Sequence, residues 1–507
     1  MANMLIKIFE KTINSNSNKI AVIDGKDQIT FKNLELNSKQ LAVKLAEKNF
    51  INSPIAVFLP KSIESVVSNL AITYSGNIYM NLDIKTPESR LSNILKLIQP
   101  KLIITNKKYE AILLAMDVAI DIIVLDYIVF SNQDNYNILY DIQKRIIDTD
   151  AYCIINTSGS TGTPKGVVLN YKSFYDFIDR ANDELQFGDE EIIGSLSPLV
   201  FDIYSFELCM LMTKSSTIVI LPENLAAFPA RILTLMQEHK VSFIFWVPTI
   251  MVNIANMELL SKIELINLKK VWFAGEVFPT KQFNYWKSNL SPGTMFVNLY
   301  GPIEITLDCT YFIVDRDIPD NVPIPIGFPF VNTDIMILDS KNQLVEGTKE
   351  GEICVRGTSL AMGYYKNPEK TKTAFVQNPL NNSYPELIYR TGDIVYTNSN
   401  GELVFKGRKD TLIKHMGYRI ELGEIEHVII NNLKLVDNGC VLYESSKKTI
   451  TLFYQALEDL SIPDFKKALF RVLPKYMVPT SYVRLDKMPM STNGKIDRLS
   501  LMKVLSC

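Results

Sequence analysis

"AYCIINTSGSTGTPKGVVLN", residues 151–170, holds two short apolar runs around a loop with no bulky apolar side chain. Residues 156–166 alone contain three Gly, two Ser, three Thr, one Pro and one Lys. The next stretch, "YKSFYDFIDRANDEL", has helical spacing, so the region is read as strand, loop, strand, helix. Glycines let backbone N–H groups approach phosphate oxygens closely, hydroxyls add donors, and Lys165 adds a point charge. The spacing is not that of a Walker A loop, because Pro164 precedes the lysine and Gly166 follows it. Composition alone leaves two readings open, a phosphate cradle and a flexible surface loop.

The same alternation extends outward. "IAVFLP" (55–60), "KLIIT" (101–105), "DIIVL" (121–125), "TIVIL" (217–221), "SFIFWVP" (242–248) and "KKVWFAG" (269–275) are short apolar runs. "KSIESVVSNLAITYSG" (61–76) and "AFPARILTLMQEHK" have helical spacing. This predicts an α/β fold with largely parallel sheets and crossover helices. From about residue 330 short strands with Asn and Gly turns predict an antiparallel part, "NTDIMILDSKNQLVEGTKEGEICVRG" through "NSNGELVFKGRKD". After it, "ELGEIEHVIINNL" reads as a helix, "VDNGCVLYES" and "KTITLFYQA" as strands, and "IPDFKKALFRVL" as a helix. The expected organisation is a core domain over residues 1–405, a boundary segment at 406–410, which the resemblance below makes the hinge, and a C-terminal domain over 411–507.

The 507 residues exceed what one hydrophobic core supports. Lys plus Arg (53) nearly balances Asp plus Glu (55), which leaves no electrostatic footprint for nucleic acid. The six Cys form no CxxC pair and there are three His, which argues against a zinc site and fits a reducing cytoplasm. The N-terminus lacks a signal-peptide pattern, and no 18-residue uncharged apolar stretch predicts a membrane span.

The loop "TSGSTGTPKG" resembles the signature of the adenylate-forming superfamily, which includes acyl-CoA synthetases, luciferases and the adenylation domains of peptide synthetases. "GNIYMNLD" (76–83), "NLYGPIE" (298–304), "GEICVRG…GYY" (351–365), "YRTGD" (389–393), "GRKDTLIKHMGYRIELGEIE" (407–426), "LPKYMVP" (473–479) and "NGKIDR" (493–498) are similar to further motifs of that family, in family order. The resemblance implies a large N-terminal domain of mixed and parallel sheets with helices and a small barrel-like β part. It also implies a small mobile α+β C-terminal domain. The implied reaction joins a carboxylate to the α-phosphate of ATP, releasing pyrophosphate, and then passes the acyl group to a thiol.

The resemblance assigns roles residue by residue. Thr157, Ser158, Ser160, Thr161 and Lys165 would hold the β- and γ-phosphates, with Gly275, Glu276, Asn298 and Gly301 also at the nucleotide. Tyr300 would stack on adenine and Glu304 would hold Mg²⁺. Asp393 would bind the ribose hydroxyls with help from Arg408, and Asp410 would be the hinge. The "HMGYR" segment around Gly417 would meet the thiol arm. Lys495 would reach the substrate carboxylate and the bridging oxygen, with Thr161 and Glu304 as its catalytic companions. A fixed cation there stabilises the transition state more than the ground state.

Two departures stand out. Ile303 occupies the place of a Thr that is expected to contact the α-phosphate, so the enzyme would be slowed, use another donor or have changed role. Asn81 occupies the place of a common Pro, and is expected to matter less.

"FDIYSFE" (201–207) points to the acid. In amino-acid-activating members, an Asp at the position of Asp202 binds the α-amino group, and a carboxylate–ammonium pair about 4 Å apart gains roughly 4 kcal/mol at an effective dielectric near 20. The other carried-over pocket positions are Ile203, Phe206, Phe245, Trp272, Ala274, Leu299, Leu307 and Asp308. The bulk of Phe206, Phe245 and Trp272 predicts a small pocket. Segments such as "FAGEVFP" (273–279) and "KHMGYRIELGEIEH" (414–427) are most similar to the D-alanine–D-alanyl carrier protein ligases, although Ala274 stands where those have Cys. The expected activity is ATP- and Mg²⁺-dependent activation of a small amino acid, with D-alanine the leading candidate. Transfer to the phosphopantetheine of an acyl or peptidyl carrier protein acting in trans would follow. The alternatives are an acyl- or aryl-CoA ligase and a degenerate nucleotide-binding protein.

Overall fold

In the computed structural model the runs flanking the opening loop become the strands Ala151–Thr157 and Lys165–Asn170, neighbours in a seven-stranded sheet. The structure describes residues 4–128, 136–158, 164–188, 190–409, 412–436, 438–445, 447–456, 461–490 and 496–505. Helix Tyr171–Leu185 follows directly, because Asn170 caps it by accepting from the Ser173 N–H at 2.8 Å. Pro54–Val57 lies centrally and pairs in parallel with Ile78–Asn81 and Leu102–Thr105. The crossover between the first two is helix Ile63–Tyr74, which opens on a Ser62/Ser65 capping box and closes at Gly76, whose φ of +69° suits a residue without Cβ.

A nine-stranded sheet is built the same way. Its central strands Met295–Tyr300, Lys270–Phe273, Phe243–Trp246, Ile192–Ser195, Thr217–Ile220 and Ile20–Asp24 run parallel, and antiparallel strands close both edges. The expected antiparallel part is a five-stranded sheet in which Thr333–Leu338, Gly351–Gly357, Leu387–Thr397 and Leu403–Arg408 pair in turn, with Phe375–Gln377 on Leu387–Thr397.

The chain divides into two compact units. One comprises Met1–Ile84, Gln99–Ile155 and Gly166–Lys409; the other comprises Lys85–Ile98, Asn156–Lys165 and Asp410–Cys507. The second unit contains a three-stranded sheet, Asn438–Glu444, Thr449–Gln455 and Ser481–Arg484, with helices Leu422–His427 and Ile462–Phe470. Its hairpin Leu412–His415/Tyr418–Glu421 turns on Met416 and Gly417, both at positive φ, as a two-residue turn of the primed type requires. Within the same unit Arg90, on helix Glu88–Ile98, forms a buried ion pair with Glu424.

Helix Asp202–Lys214 is apolar nearly all round and almost wholly buried, the mark of a helix packed on every side. Its one buried carboxylate, Glu207, accepts from the Ser195 hydroxyl, whose oxygen in turn accepts from Lys61 Nζ at 3.1 Å. Burial pushes the Glu207 carboxyl up to about 7, against the pull of Lys61 and Ser195. A carboxyl that keeps its proton longer in the folded state makes stability fall as pH rises from about 4.5 to about 7, by about 3 kcal/mol in all. Glu207→Gln is expected to remove that slope, read as the difference in urea-unfolding free energy between variant and wild type at pH 5 and pH 7.5. Equal differences at the two pH values would refute it.

The five described cysteines are free and buried. Among the described residues no helix is long and apolar enough to cross a membrane.

Candidate active site

The parallel strands of the nine-stranded sheet place four of the nine expected pocket residues on one face. Phe245 pairs in register with Trp272, and Trp272 with Val297, so these three side chains share a face, which Ala274 and Leu299 continue two residues on. This face lies toward the C-terminal ends of the strands, where open α/β sheets bind ligands. Helix Asp202–Lys214 covers it: the Phe206 ring stacks on Trp272 at 5.8 Å and meets Phe245 edge-on at 5.6 Å. Phe187 closes the cluster against Trp272 at 4.8 Å. Ile203, Leu299, Leu307 and Asp308 are buried, and Asp202 forms the first residue of the covering helix. The three rings of Phe206, Phe245 and Trp272 are fully buried.

The expected ribose and adenine residues also come together. Tyr300 ends the strand Met295–Tyr300, and its hydroxyl donates to Asp393 Oδ2 at 2.6 Å. Arg408 donates to Asp393 Oδ1 and, at 3.1 Å, to the Thr391 carbonyl. The antiparallel register sets this up, since Asp393 and Arg408 are direct partners on adjacent strands. Burial and the adjacent Asp393 charge push the Tyr300 phenol well above its usual range, so it stays a donor. Gly301 permits the next turn: a Cβ there would come within 2.2 Å of the Leu307 carbonyl oxygen.

Glu304 sits in the short turn Ile303–Ile305, fully buried, and accepts from Tyr364 Oη at 2.8 Å. Tyr364 belongs to the quoted "GYY" motif, but sequence reasoning gave it no role. Ile303 is half-buried against the main core. Gly275 follows the strand Lys270–Phe273 at φ +89°. Glu276 accepts from the Thr249 N–H at 3.1 Å, and Asn298 Nδ2 donates to the Pro325 carbonyl at 2.7 Å.

In the second unit, Asn156 and Thr157 carry buried side-chain polar atoms with no hydrogen-bond partner among the described residues. Orphaned donors at the mouth of a Gly-rich loop suit an anion such as a phosphate. Ser158 Oγ donates to the Arg419 carbonyl at 2.5 Å and accepts from the Glu421 N–H at 3.2 Å. Lys165 opens its strand. Ser160, Thr161, Asp410 and Lys495 lie outside the described residues.

No group of three or more metal-ligating side chains occurs among the described residues. A single buried carboxylate, Glu304, fits the way Mg²⁺ is held through one or two carboxylates plus substrate phosphates.

The chain belongs to the AMP-binding enzymes, the adenylate-forming ligases, whose family pattern matches residues 9–365. It is 31% identical to the zwittermicin A synthase ZmaJ of Bacillus cereus over 98% of this chain and 94% of that one. It is 29% identical to tyrocidine synthase 1 of Brevibacillus parabrevis over 98% of this chain but only 44% of that protein. In fold it is similar to the Vibrio cholerae adenylation domain AlmE, solved with glycyl-adenosine-5'-phosphate, with a TM-score of 0.86 at 19% identity over 100% and 98% of the two chains.

Proposed function

We propose that this protein activates a small amino acid as its aminoacyl-adenylate and passes it to the phosphopantetheine thiol of a separate carrier protein, with D-alanine the leading candidate substrate. The observation that carries the reading is that Asp202 opens the helix lying over an aromatic cluster of Phe206, Phe245 and Trp272. Asp202 supplies the charge for an α-ammonium, and the bulk of the aromatic wall favours a small side chain. A fatty acid would bury Asp202 against an apolar chain, at a cost of several kcal/mol.

In the first step a substrate carboxylate oxygen bonds to the α-phosphorus of ATP, and the α–β P–O bond breaks to release pyrophosphate. Asp393, oriented by Arg408 and Tyr300, receives the ribose hydroxyls. Thr157, Ser158, Ser160, Thr161 and Lys165 take the charge of the departing phosphates. Glu304 would hold Mg²⁺ bound with the nucleotide, which would supply charge neutralisation at the phosphates. Lys495 is assigned to the carboxylate–phosphate junction, where negative charge develops. In the second step the carrier thiol attacks the acyl carbon and AMP leaves.

Amino-acid-dependent ATP–pyrophosphate exchange, screened over the proteinogenic and common D-amino acids, tests the reading. Exchange with small amino acids only is expected, and no exchange with any amino acid overturns it. Loading of a carrier protein in preference to CoA tests the acceptor. Ile303→Thr restores a hydroxyl where the family places one, and is expected to raise the exchange rate by up to about 10²-fold. An unchanged or lower rate would show that another group already contacts the α-phosphate.

A further inference from the structure

The loop that ends on Asp202 has no regular structure of its own between Ser195 and the helix. Besides the Leu221 N–H on the Ser195 carbonyl and Ser197 Oγ on the Phe245 carbonyl, its position is held by side chains from one distant stretch of the chain. Lys61 Nζ donates to the Ser195 carbonyl at 2.8 Å and to the Ser197 carbonyl at 2.7 Å. Asn81 Nδ2 donates to the Leu199 carbonyl at 2.9 Å. The third Lys61 proton goes to the Ser195 hydroxyl, which donates onward to Glu207 in the helix. The helix start is tied from the same stretch, by Asn69 to the Tyr204 hydroxyl at 3.1 Å and by the Tyr79 hydroxyl to Ser205 Oγ at 2.7 Å. Alternate carbonyls on both sides of the loop are thus held before the chain reaches Asp202.

Asn81 departs here from the pattern the sequence resembles. A proline at that position, as the family resemblance leads one to expect, has no side-chain N–H to donate to Leu199. Lys61, with three acceptors for its three protons, is fully satisfied inside the protein and joins the strand end to the helix through Ser195.

We propose that Asn81 and Lys61 are positioning residues for amino-acid binding: by holding the carbonyls of Ser195, Ser197 and Leu199 they keep the Asp202 carboxylate where the substrate ammonium meets it. This rests on the assignment of Asp202 to that ammonium. Ion pairing falls with distance, so letting the carboxylate drift from about 3 to about 4 Å at an effective dielectric near 20 weakens it about tenfold.

The test is ATP–pyrophosphate exchange by Asn81→Leu and by the paired change Lys61→Met/Glu207→Gln. The substrates are the amino acid returned by the screen and the carboxylic acid of the same skeleton without its amino group (propionate in the case of alanine). Each variant is expected to raise the amino-acid KM about tenfold, leave the ATP KM within about twofold, and lower the preference for the amino acid over its desamino analogue about tenfold. A purely structural role lowers Tm and kcat while leaving that preference at the wild-type value, and this result overturns the proposal. Asp202→Asn separates the two layers. If it leaves the preference unchanged, the Asp202 assignment itself fails; if it lowers the preference and Asn81→Leu does not, only the positioning role fails. Should Asn81→Leu not fold, Asn81→Ala removes the same donor without added bulk and is read identically.

Discussion

Replacing Lys495 by alanine is expected to lower the rate of amino-acid-dependent ATP–pyrophosphate exchange by about 10²–10³-fold while leaving ATP affinity within about threefold. The motif "NGKIDR" supplies the lysine, and the chemistry explains the asymmetry. As the carboxylate closes on the α-phosphorus, charge accumulates on the bridging and departing oxygens, and a cation fixed there gains more from the transition state than from bound ATP. ATP itself retains its contacts to the ribose and phosphate residues. A second readout sharpens the test. Transfer from preformed aminoacyl-adenylate to the carrier thiol breaks no phosphoanhydride, so the variant should retain it. Exchange at the wild-type rate would remove Lys495 from the first step, and equal loss of both half-reactions would make its role structural.

Loss of the Asp393 carboxylate is the second large effect. Asp393→Ala leaves the Arg408 guanidinium and the Tyr300 hydroxyl buried without their acceptor. Breaking one side of such a buried pair costs about 3–5 kcal/mol, to be measured by urea unfolding. Asp393→Asn keeps the shape and an acceptor for Tyr300, and so isolates the binding role. It is expected to raise the ATP KM about 10–100-fold, the loss of a charge-assisted hydrogen bond. It should also narrow the difference between ATP and 2'-deoxyATP. An unchanged ratio of the two nucleotides would show that Asp393 orients Tyr300 and Arg408 without touching the ribose.

Much of this was readable from local pattern. The short apolar runs named from the sequence became strands, most of them because a strand buried on both faces in a parallel sheet is apolar without alternation; Asp121–Val124, at the sheet edge, is only partly buried. Gly76 marked a helix end in the sequence, and the structure adds Ser62 and Asn170 as caps, all through backbone chemistry confined to a few residues. The nine-strand order was not readable, since it places Ile20–Asp24 beside Thr217–Ile220, nearly two hundred residues on. Nor was the role of Tyr364, which depends on a hydrogen bond to a residue sixty positions earlier. Asn81 shows the same limit: its departure from the resembled pattern was visible, but its bond to Leu199 spans 118 positions.

The sequence by itself determined the alternating α/β architecture, the antiparallel part after residue 330 and the membership of the AMP-binding enzymes. Those follow from periodicity, turn chemistry and short contiguous motifs, all of which act over a few residues. Only the tertiary structure decided that Tyr300, Asp393 and Arg408 share one hydrogen-bonded cluster. It alone showed that Phe206, Phe245 and Trp272 form one aromatic wall, and that Lys61 and Asn81 hold the loop before Asp202. Side chains far apart in sequence meet only once sheet order and register bring their backbones together, and no local pattern encodes that meeting.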